Sequence, residues 1–332
     1  MKCGGDAAIR IPAYVGCVGG FKGSRAVQSR NSIIRLPRNL QSRLEKGAQA
    51  LLNPKNGPRI DFARPMGEGA LLPPDSLTWR IFKNPMALLI GGIAAVILEL
   101  AEPSVRTAVW EHSSFRKDPM RRLQRTGLAA MVTVYGARSI AEPMIARVVQ
   151  IHSKIGGETP CGMAYHANDT RLLSWVQATA VFGFSEAYSR YVRPLSEMEF
   201  DVLYREGAPA SKLYGAIEAP MSKAELHALF GSMRGGLKAS PIVFEFLQIM
   251  RATAGFPKPL CWMQGMLVRA AVEIVPDWIR ECLGLTHHYG LRPTERWVVE
   301  LAGALSDRVI LSESPATQSC IRLGLPTMHL YV

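Results

Sequence analysis

The fold of this chain is decided by residues 85–103, Pro85-Met-Ala-Leu-Leu-Ile-Gly-Gly-Ile-Ala-Ala-Val-Ile-Leu-Glu-Leu-Ala-Glu-Pro103. Residues 87–98 carry no charge. A helix that spans a membrane needs about 20 apolar residues, and this run is shorter. We therefore predict a buried core helix. Association of the run with a membrane surface is the alternative.

A polar cassette follows, His112-Ser-Ser-Phe-Arg-Lys-Asp-Pro-Met-Arg-Arg-Leu-Gln-Arg-Thr126. Its Arg122, Arg125 and Thr126 are spaced i, i+3 and i+4, which places them on one helix face. Two guanidinium groups on one face suit an anion such as a haem propionate. The threonine hydroxyl could line the same pocket. A solvated basic face is the alternative interpretation.

His152 lies on the apolar side of the next predicted helix. Ile145, Val148 and Val149 precede it at i−7, i−4 and i−3, so the imidazole shares their stripe. A single neutral imidazole that projects into an apolar pocket is sufficient to hold a haem iron. A core histidine hydrogen-bonded to a carbonyl is the alternative.

Two carboxylates, Glu99 and Glu102, stand at the end of the apolar run. Burying a carboxylate is costly unless it is paired or protonated. Either could pair with Arg122 or Arg125, or act as a base beside a substrate. For Glu99 a surface position at the helix end is an equal alternative, whereas Glu102 is favoured for function.

The rest of the chain reads as helices separated by Pro and Gly, so we predict an all-α fold. We divide it into a basic extension at 1–36, an N-terminal helix and Pro/Gly-rich arm at 37–76, and one helical domain at 77–332. The predicted helix starts include Ser76, Asp118-Pro119, Ser139, Asp169 and Ser196. Residues 158–169 are predicted to form a polar loop, and residues 308–311 are strand-like.

Composition narrows the functional classes. The net charge is +12, but the first 44 residues hold eight Lys or Arg and one acid, so the body of the chain is only moderately basic. We therefore expect no nucleic-acid partner. The extension is either disordered, which we favour, or a targeting segment. The six scattered cysteines form no C-x-x-C pair, which favours reduced thiols and a cytoplasmic setting.

Common catalytic motifs do not occur in the sequence. There is no G-x-G-x-x-G after a strand, no G-x-x-x-x-G-K-[ST], no H-E-x-x-H and no G-x-S-x-G. The Glu-x-x-His pairs of a di-iron bundle are also missing. These absences remove the usual nucleotide, zinc-protease, hydrolase and di-iron interpretations.

From about residue 77 to residue 330 the chain resembles the MpaB/rubber-oxygenase catalytic-domain family, which includes the latex-clearing proteins. The residues that carry the resemblance are Trp79, Glu102-Pro103, His112-Ser-Ser-Phe115, Asp118-Pro119, Arg122-Leu-Gln-Arg125-Thr126, His152, Tyr165-His-Ala-Asn-Asp169, Trp175-Val-Gln-Ala178 and Tyr191-Val-Arg-Pro194. The cassette from His112 to Thr126 is a specific signal of the family, because a match of this length in the same residue order is hard to obtain by chance.

The resemblance implies an all-α fold with a globin-like, haem-binding core. It implies an oxygenase that uses haem b and O2 to cleave carbon–carbon double bonds of isoprenoid chains. It also implies His152 as the iron ligand, with Arg122 and Thr126 near the haem. The rubber enzymes have Lys where this chain has Arg125, and many relatives have His at the positions of Glu102 and Gln177.

We therefore expect a haem b-dependent oxygenase for an isoprenoid or other apolar substrate. His152 would bind the iron, Arg122 and Arg125 would bind the cofactor, and Glu102, Arg122 and Thr126 would serve catalysis. The expected partners are O2 and an apolar small molecule.

The alternative is a non-catalytic helical protein that binds lipid or a membrane surface through residues 87–101. Peripheral membrane contact is therefore left open beside the cytoplasmic setting.

Overall fold

The apolar run forms the central helix of the fold, α2, Pro85–Ala101, which follows the short helix α1, Leu77–Phe82. Asn84 caps α2, since its Oδ1 accepts hydrogen bonds from the backbone N–H groups of Met86 and Ala87, each at 3.0 Å. Most side chains of α2 are buried. The predicted core helix is therefore confirmed.

The computed structural model describes residues 59–253 and 261–331, together with residues 33, 34, 36, 37, 39, 41–43 and 45. Most of the predicted extension at 1–36 lies outside the described residues. The helix predicted at 39–52 is described only at residues 39, 41–43 and 45, which are helical. Residues 59–76 of the predicted arm contain no helix.

The other elements follow α2 as helices, apart from one small hairpin. They are α3 (Pro103–His112), α4 (Pro119–Tyr135), α5 (Arg138–His152), β1 (Gly156–Glu158), β2 (Ala164–His166), α6 (Thr170–Tyr191), α7 (Glu197–Tyr214), α8 (Lys223–Met233), α9 (Pro241–Ala252), α10 (Cys261–Ile274), α11 (Asp277–Leu283), α12 (Pro293–Ser306) and α13 (Pro315–Arg322), with 3₁₀ turns at His287–Tyr289 and His329–Tyr331. The all-α prediction is confirmed.

Helices α2 and α6 cross closely because glycine faces glycine. A Cβ atom added to Gly91 would lie 2.7 Å from the carbonyl oxygen of Gly183, and one added to Gly183 would overlap the carbonyl oxygen of Gly91. Neither position can hold a side chain without moving a backbone. The glycine pair thus sets the distance between the two central helices.

Buried apolar side chains form two clusters among the described residues. The first surrounds α2, α6 and α10 and includes Leu98, Trp175 and Leu267. The second surrounds α1, α4, α5 and α13 and includes Trp79 and Ile145. The helix pair α2 and α6 and the helix pair α4 and α5 therefore belong to different parts of the core.

Tertiary contacts overturn several local predictions. The loop predicted at 158–169 contains strand β2, which pairs antiparallel with β1 with Gly157 opposite Tyr165. The cap predicted at Ser139 is wrong, because α5 already begins at Arg138. Ser139 instead donates from its backbone N–H and its hydroxyl to the Glu68 carboxylate. Val309 forms only an isolated bridge with Ile34.

Within the described part of the chain, no single helix is long and apolar enough to cross a membrane. Helices α2 and α3 would pass that test only as a pair, and they are bent by 110°.

Candidate functional site

Arg122 occupies a partly buried position in the first turns of α4. The helix starts as predicted, since Asp118 Oδ1 accepts from the backbone N–H of Arg121 at 3.1 Å. Desolvation lowers the pKa of Arg122, the Glu99 carboxylate opposes that effect, and Arg125 adds to it. Arg122 is therefore a desolvated cation that faces a carboxylate.

The neighbours of Arg122 on its helix face are more open. Arg125 and Thr126 are both exposed. The hydroxyl of Thr126 donates to the backbone carbonyl of Arg122 at 3.0 Å. This bond uses the hydroxyl proton inside the helix and leaves the oxygen lone pairs of Thr126 free to accept from another group.

Glu99, on the last turn of α2, interacts electrostatically with Arg122. Desolvation raises the pKa of Glu99 to about 7, and the Arg122 charge opposes this rise. Yet the side chain keeps partial contact with solvent. Glu99 is therefore a strongly desolvated carboxylate that keeps partial access to solvent.

His152 is the last residue of α5 and is partly buried. Desolvation lowers its pKa, and the positive charge of Arg122 lowers it further. At pH 7 the imidazole is consequently neutral, which is the form that binds a metal. No residue in the described ranges hydrogen-bonds to its ring. Arg122 thus lies close enough to both Glu99 and His152 to act on the pKa of each.

Glu102 has a different environment from Glu99. Its Oε2 accepts from the backbone N–H of Val105 at 2.7 Å, so it caps α3, and its Oε1 lies 3.6 Å from the guanidinium of Arg171. The residue is only 3% exposed. The cap and the ion pair account for both carboxylate oxygens. The catalytic role predicted for Glu102 stays a prediction, and the structure brings Glu99, not Glu102, to Arg122.

A sequence signal for this difference exists. Glu102 directly precedes Pro103, and Pro at the first helical position is usually preceded by a capping side chain. Glu99, in contrast, follows Leu88, Gly92 and Val96 at helical spacing. Pro103 therefore marks Glu102, and not Glu99, as the residue that caps the next helix.

Two partly accessible stripes run along the otherwise buried central helices. Their residues are Leu88, Gly92, Val96 and Glu99 on α2, and Leu173, Gln177, Val181 and Phe184 on α6. The stripes adjoin, because a Cβ on Gly92 would lie 3.8 Å from the ring of Phe184. With Glu99 at one end, they form a partly accessible, mostly apolar surface.

A separate cavity of about 360 Å³ lies at the start of α2. Its apolar lining includes Phe62, Phe82, Leu88 and Met131, and Arg59 and other charged residues also line it. It contains none of the predicted site residues. Of the residues in the α2 stripe, only Leu88 also lines this cavity. The candidate site is therefore defined by Glu99, Arg122 and His152 and not by the cavity.

Over the ranges that the structure describes, no three or more His, Cys, Asp or Glu side chains are grouped as a set of metal ligands. His152 is therefore considered as a single ligand, which is the arrangement that haem iron allows.

Comparison with known proteins identifies the family. The sequence profile of the family described as "ER-bound oxygenase mpaB/B'/Rubber oxygenase, catalytic domain" matches residues 79–307. This chain belongs to that family.

The predicted membership is thus confirmed, and with it an oxygenase family as the context of the site. The matched residues contain both stripes, Glu99, Arg122 and His152.

Among curated proteins, the chain is similar to an uncharacterized protein of Mycobacterium bovis and to one of Mycobacterium tuberculosis. Each is 24% identical over 173 residues, which cover 50% of this chain and 68% of the relative. No solved structure matches this chain significantly.

Proposed function

We propose that the protein is a haem b-dependent oxygenase for an isoprenoid or other apolar substrate. The observation that carries the proposal is the electrostatic coupling of three groups at the end of a partly accessible apolar stripe. Arg122 acts on the pKa of both Glu99 and His152, and Glu99 ends the accessible stripe of α2. Family membership supports the oxygenase class.

The residues present fit a haem. His152 offers a neutral imidazole whose ring has no hydrogen-bond partner among the described residues. The stripes on α2 and α6 offer an apolar wall, and Gly92 leaves one position of it without a side chain. Arg122 and Arg125 offer cationic partners for the propionates.

Each residue has a role that follows from its surroundings. The haem iron, held by His152, would supply the binding and activation of O2. Arg122 and Arg125 bind the propionates, or Arg122 orients a polar group of the bound reactants. Thr126 presents an oxygen that can accept a hydrogen bond. The apolar stripes hold the substrate and exclude water.

Glu99 is the better candidate for the proton-accepting role that the sequence assigned to Glu102. A general base works best when its pKa is near the operating pH. The pKa of Glu99, raised to about 7, meets that condition. The Glu102 carboxylate is already used by the cap of α3 and by Arg171.

The first experiment is the absorption spectrum of the purified protein after addition of haem. The wild type is expected to show a Soret band that moves or disappears in His152→Ala. His288→Ala is the matched control, because His288 is exposed on a 3₁₀ turn. A wild type without a Soret band would contradict the proposal. If that protein also floats with liposomes, the lipid-binding alternative is favoured, although its assigned helix is largely buried.

The second experiment compares two carboxamide variants for O2 consumption with a polyisoprenoid. Glu99→Gln is expected to lose most of the activity, by roughly 100-fold if it is a general base. Glu102→Gln is expected to keep most of it, since the amide oxygen can still cap α3. The reverse pattern would return the base role to Glu102.

A further inference from the structure

The segment 164–169, which contains β2 and the residues that follow it, contacts the end of helix α5. Three of its groups donate to backbone carbonyls there. Asn168 Nδ2 donates to Val149 O at 3.1 Å, His166 Nε2 to Ser153 O at 3.3 Å, and Ala167 N to Ile155 O at 2.9 Å. The three acceptors lie on both sides of His152 in the chain.

One of these bonds adds a second donor to a carbonyl in the last turn of α5. The last four carbonyls of a helix have no partner further along the helix. At the end of α5 the Val149 carbonyl already receives the N–H of Ser153 at 3.0 Å, and Asn168 supplies a second donor to it. The final turn, which carries His152, is therefore held from outside as well as from within.

The orientation of the Asn168 amide is defined by its partner. Its nitrogen must face Val149, because the opposite orientation would place two oxygens against each other. Its Oδ1 is buried and has no partner among the described residues. The side-chain amide is consequently held by the bond to Val149 alone, so one substitution tests that bond.

The ring of His166 is fixed in the same way. Its Nδ1 accepts from the backbone N–H of Asn168 at 3.2 Å, and its Nε2 donates to Ser153 O. One neutral tautomer satisfies both bonds. The ring thus links Asn168 to the residue that follows His152.

We propose that Asn168 is a positioning residue, which fixes the last turn of α5 and so fixes the orientation of the His152 imidazole. This inference rests on the proposed function, in which His152 binds haem iron. Residues that orient a metal ligand typically alter metal affinity 10–100-fold when they are changed.

The test uses the full-length protein and two readouts. In the apo-protein, Asn168→Ala is expected to accelerate amide hydrogen exchange at residues 152–155. In the haem-loaded protein, it is expected to shift the Soret band and to raise the haem dissociation rate roughly tenfold. Asn168→Asp should give at least as large an effect, because it places a carboxylate oxygen against Val149 O.

The matched control is Gln264→Ala. Gln264 also donates through a side-chain amide to a helix carbonyl, Met250 O at 2.8 Å, and its Oε1 is also buried without a partner in the described ranges. It should destabilise the protein without moving the Soret band.

The possible failures are distinguishable. A wild type that shows no Soret band overturns the proposed function and the role of Asn168 with it. A wild type that binds haem, with Asn168 variants that match it in band position and dissociation rate, overturns the positioning role alone. Unchanged hydrogen exchange at residues 152–155 also overturns it, whatever the spectrum shows.

Discussion

The two faces of helix α2 differ in what they permit. On one face Gly91 meets Gly183 of α6 so closely that no side chain fits. On the other face Leu88, Gly92, Val96 and Glu99 keep partial contact with solvent. The closed face sets the geometry of the two central helices. The open face is partly accessible and carries a strongly desolvated carboxylate.

This difference shows why apolarity alone does not define a core position. Both faces of α2 are built from small and aliphatic residues, so hydrophobicity does not separate them. The contact between Gly91 and Gly183 leaves no space for a side chain. The accessible stripe, in contrast, ends at Glu99, which interacts with Arg122 of helix α4. The following predictions test this contrast, from the largest expected effect to the smallest.

Adding a side chain where α2 and α6 cross should reduce the stability of the protein more than any other change. Gly183→Ala would force its Cβ into the carbonyl oxygen of Gly91. We expect a loss of unfolding free energy on the order of 3 kcal/mol, because backbone against backbone cannot relax locally. Urea denaturation measures it.

Gly231→Ala is the control for helix propensity. Gly231 is exposed on α8, and no atom lies within 4 Å of an added Cβ. It should gain up to about 1 kcal/mol. If Gly183→Ala is equally harmless, the crossing is looser than described.

On the open face, Glu99 should make stability depend on pH. Its pKa is raised from 4.5 to about 7, so the folded state retains a proton that the unfolded state has lost. Stability should therefore fall as pH rises from 4.5 to about 7. Above that window the charged carboxylate costs up to about 3 kcal/mol, at about 1.4 kcal/mol per pKa unit.

Glu99→Gln should remove this dependence. Relative to wild type it should be stabilised at about pH 8 and similar at about pH 4, measured by chemical denaturation of the apo-protein. Parallel pH profiles for the two proteins would show that Glu99 is solvated like a surface carboxylate.

Removing the Glu102 cap between α2 and α3 should reduce stability by a smaller amount. Glu102→Ala removes the acceptor for the Val105 N–H and should cost about 1–2 kcal/mol. Glu102→Gln keeps an acceptor and should cost less, because the pair with the half-exposed Arg171 contributes little. Equal losses in thermal denaturation would indicate that the ion pair, not the cap, stabilises the corner.

The smallest effect is electrostatic. Arg122→Met removes a positive charge that lowers the pKa of both Glu99 and His152, so both pKa values should rise. NMR titration of the His152 ring measures the shift. Arg121→Met, at the exposed neighbouring position, should leave it unchanged. A His152 pKa that does not move would separate Arg122 from the proposed haem ligand.

The sequence alone proposed most residues of the candidate site. His152, Arg122, Arg125 and Thr126 were selected by helical spacing and by the family resemblance, and the structure places Arg122 beside His152 electrostatically. The sequence favoured Glu102 over Glu99 for function, whereas the structure couples Glu99 to Arg122, because Glu102 caps α3. The globin-like core and the roles of the site residues stay predictions.

The sequence by itself determined the class of the protein and the start of most helices. Caps such as Ser76, Asp118, Asp169 and Ser196 act on N–H groups two or three residues away, so the code for them is local. The chargeless run at 87–98 was likewise sufficient to predict a core helix. These features need no knowledge of what packs against them.

Only the tertiary structure decided which groups meet. Ser139 does not cap α5 as predicted, because it hydrogen-bonds to Glu68, which is distant in the sequence. Strand β1 pairs with a segment that was predicted to be a polar loop. Arg322 is fully buried, and carbonyl oxygens that include Phe62 O and Tyr135 O converge on its guanidinium. Such partners are set by packing over long separations, which helical periodicity does not encode.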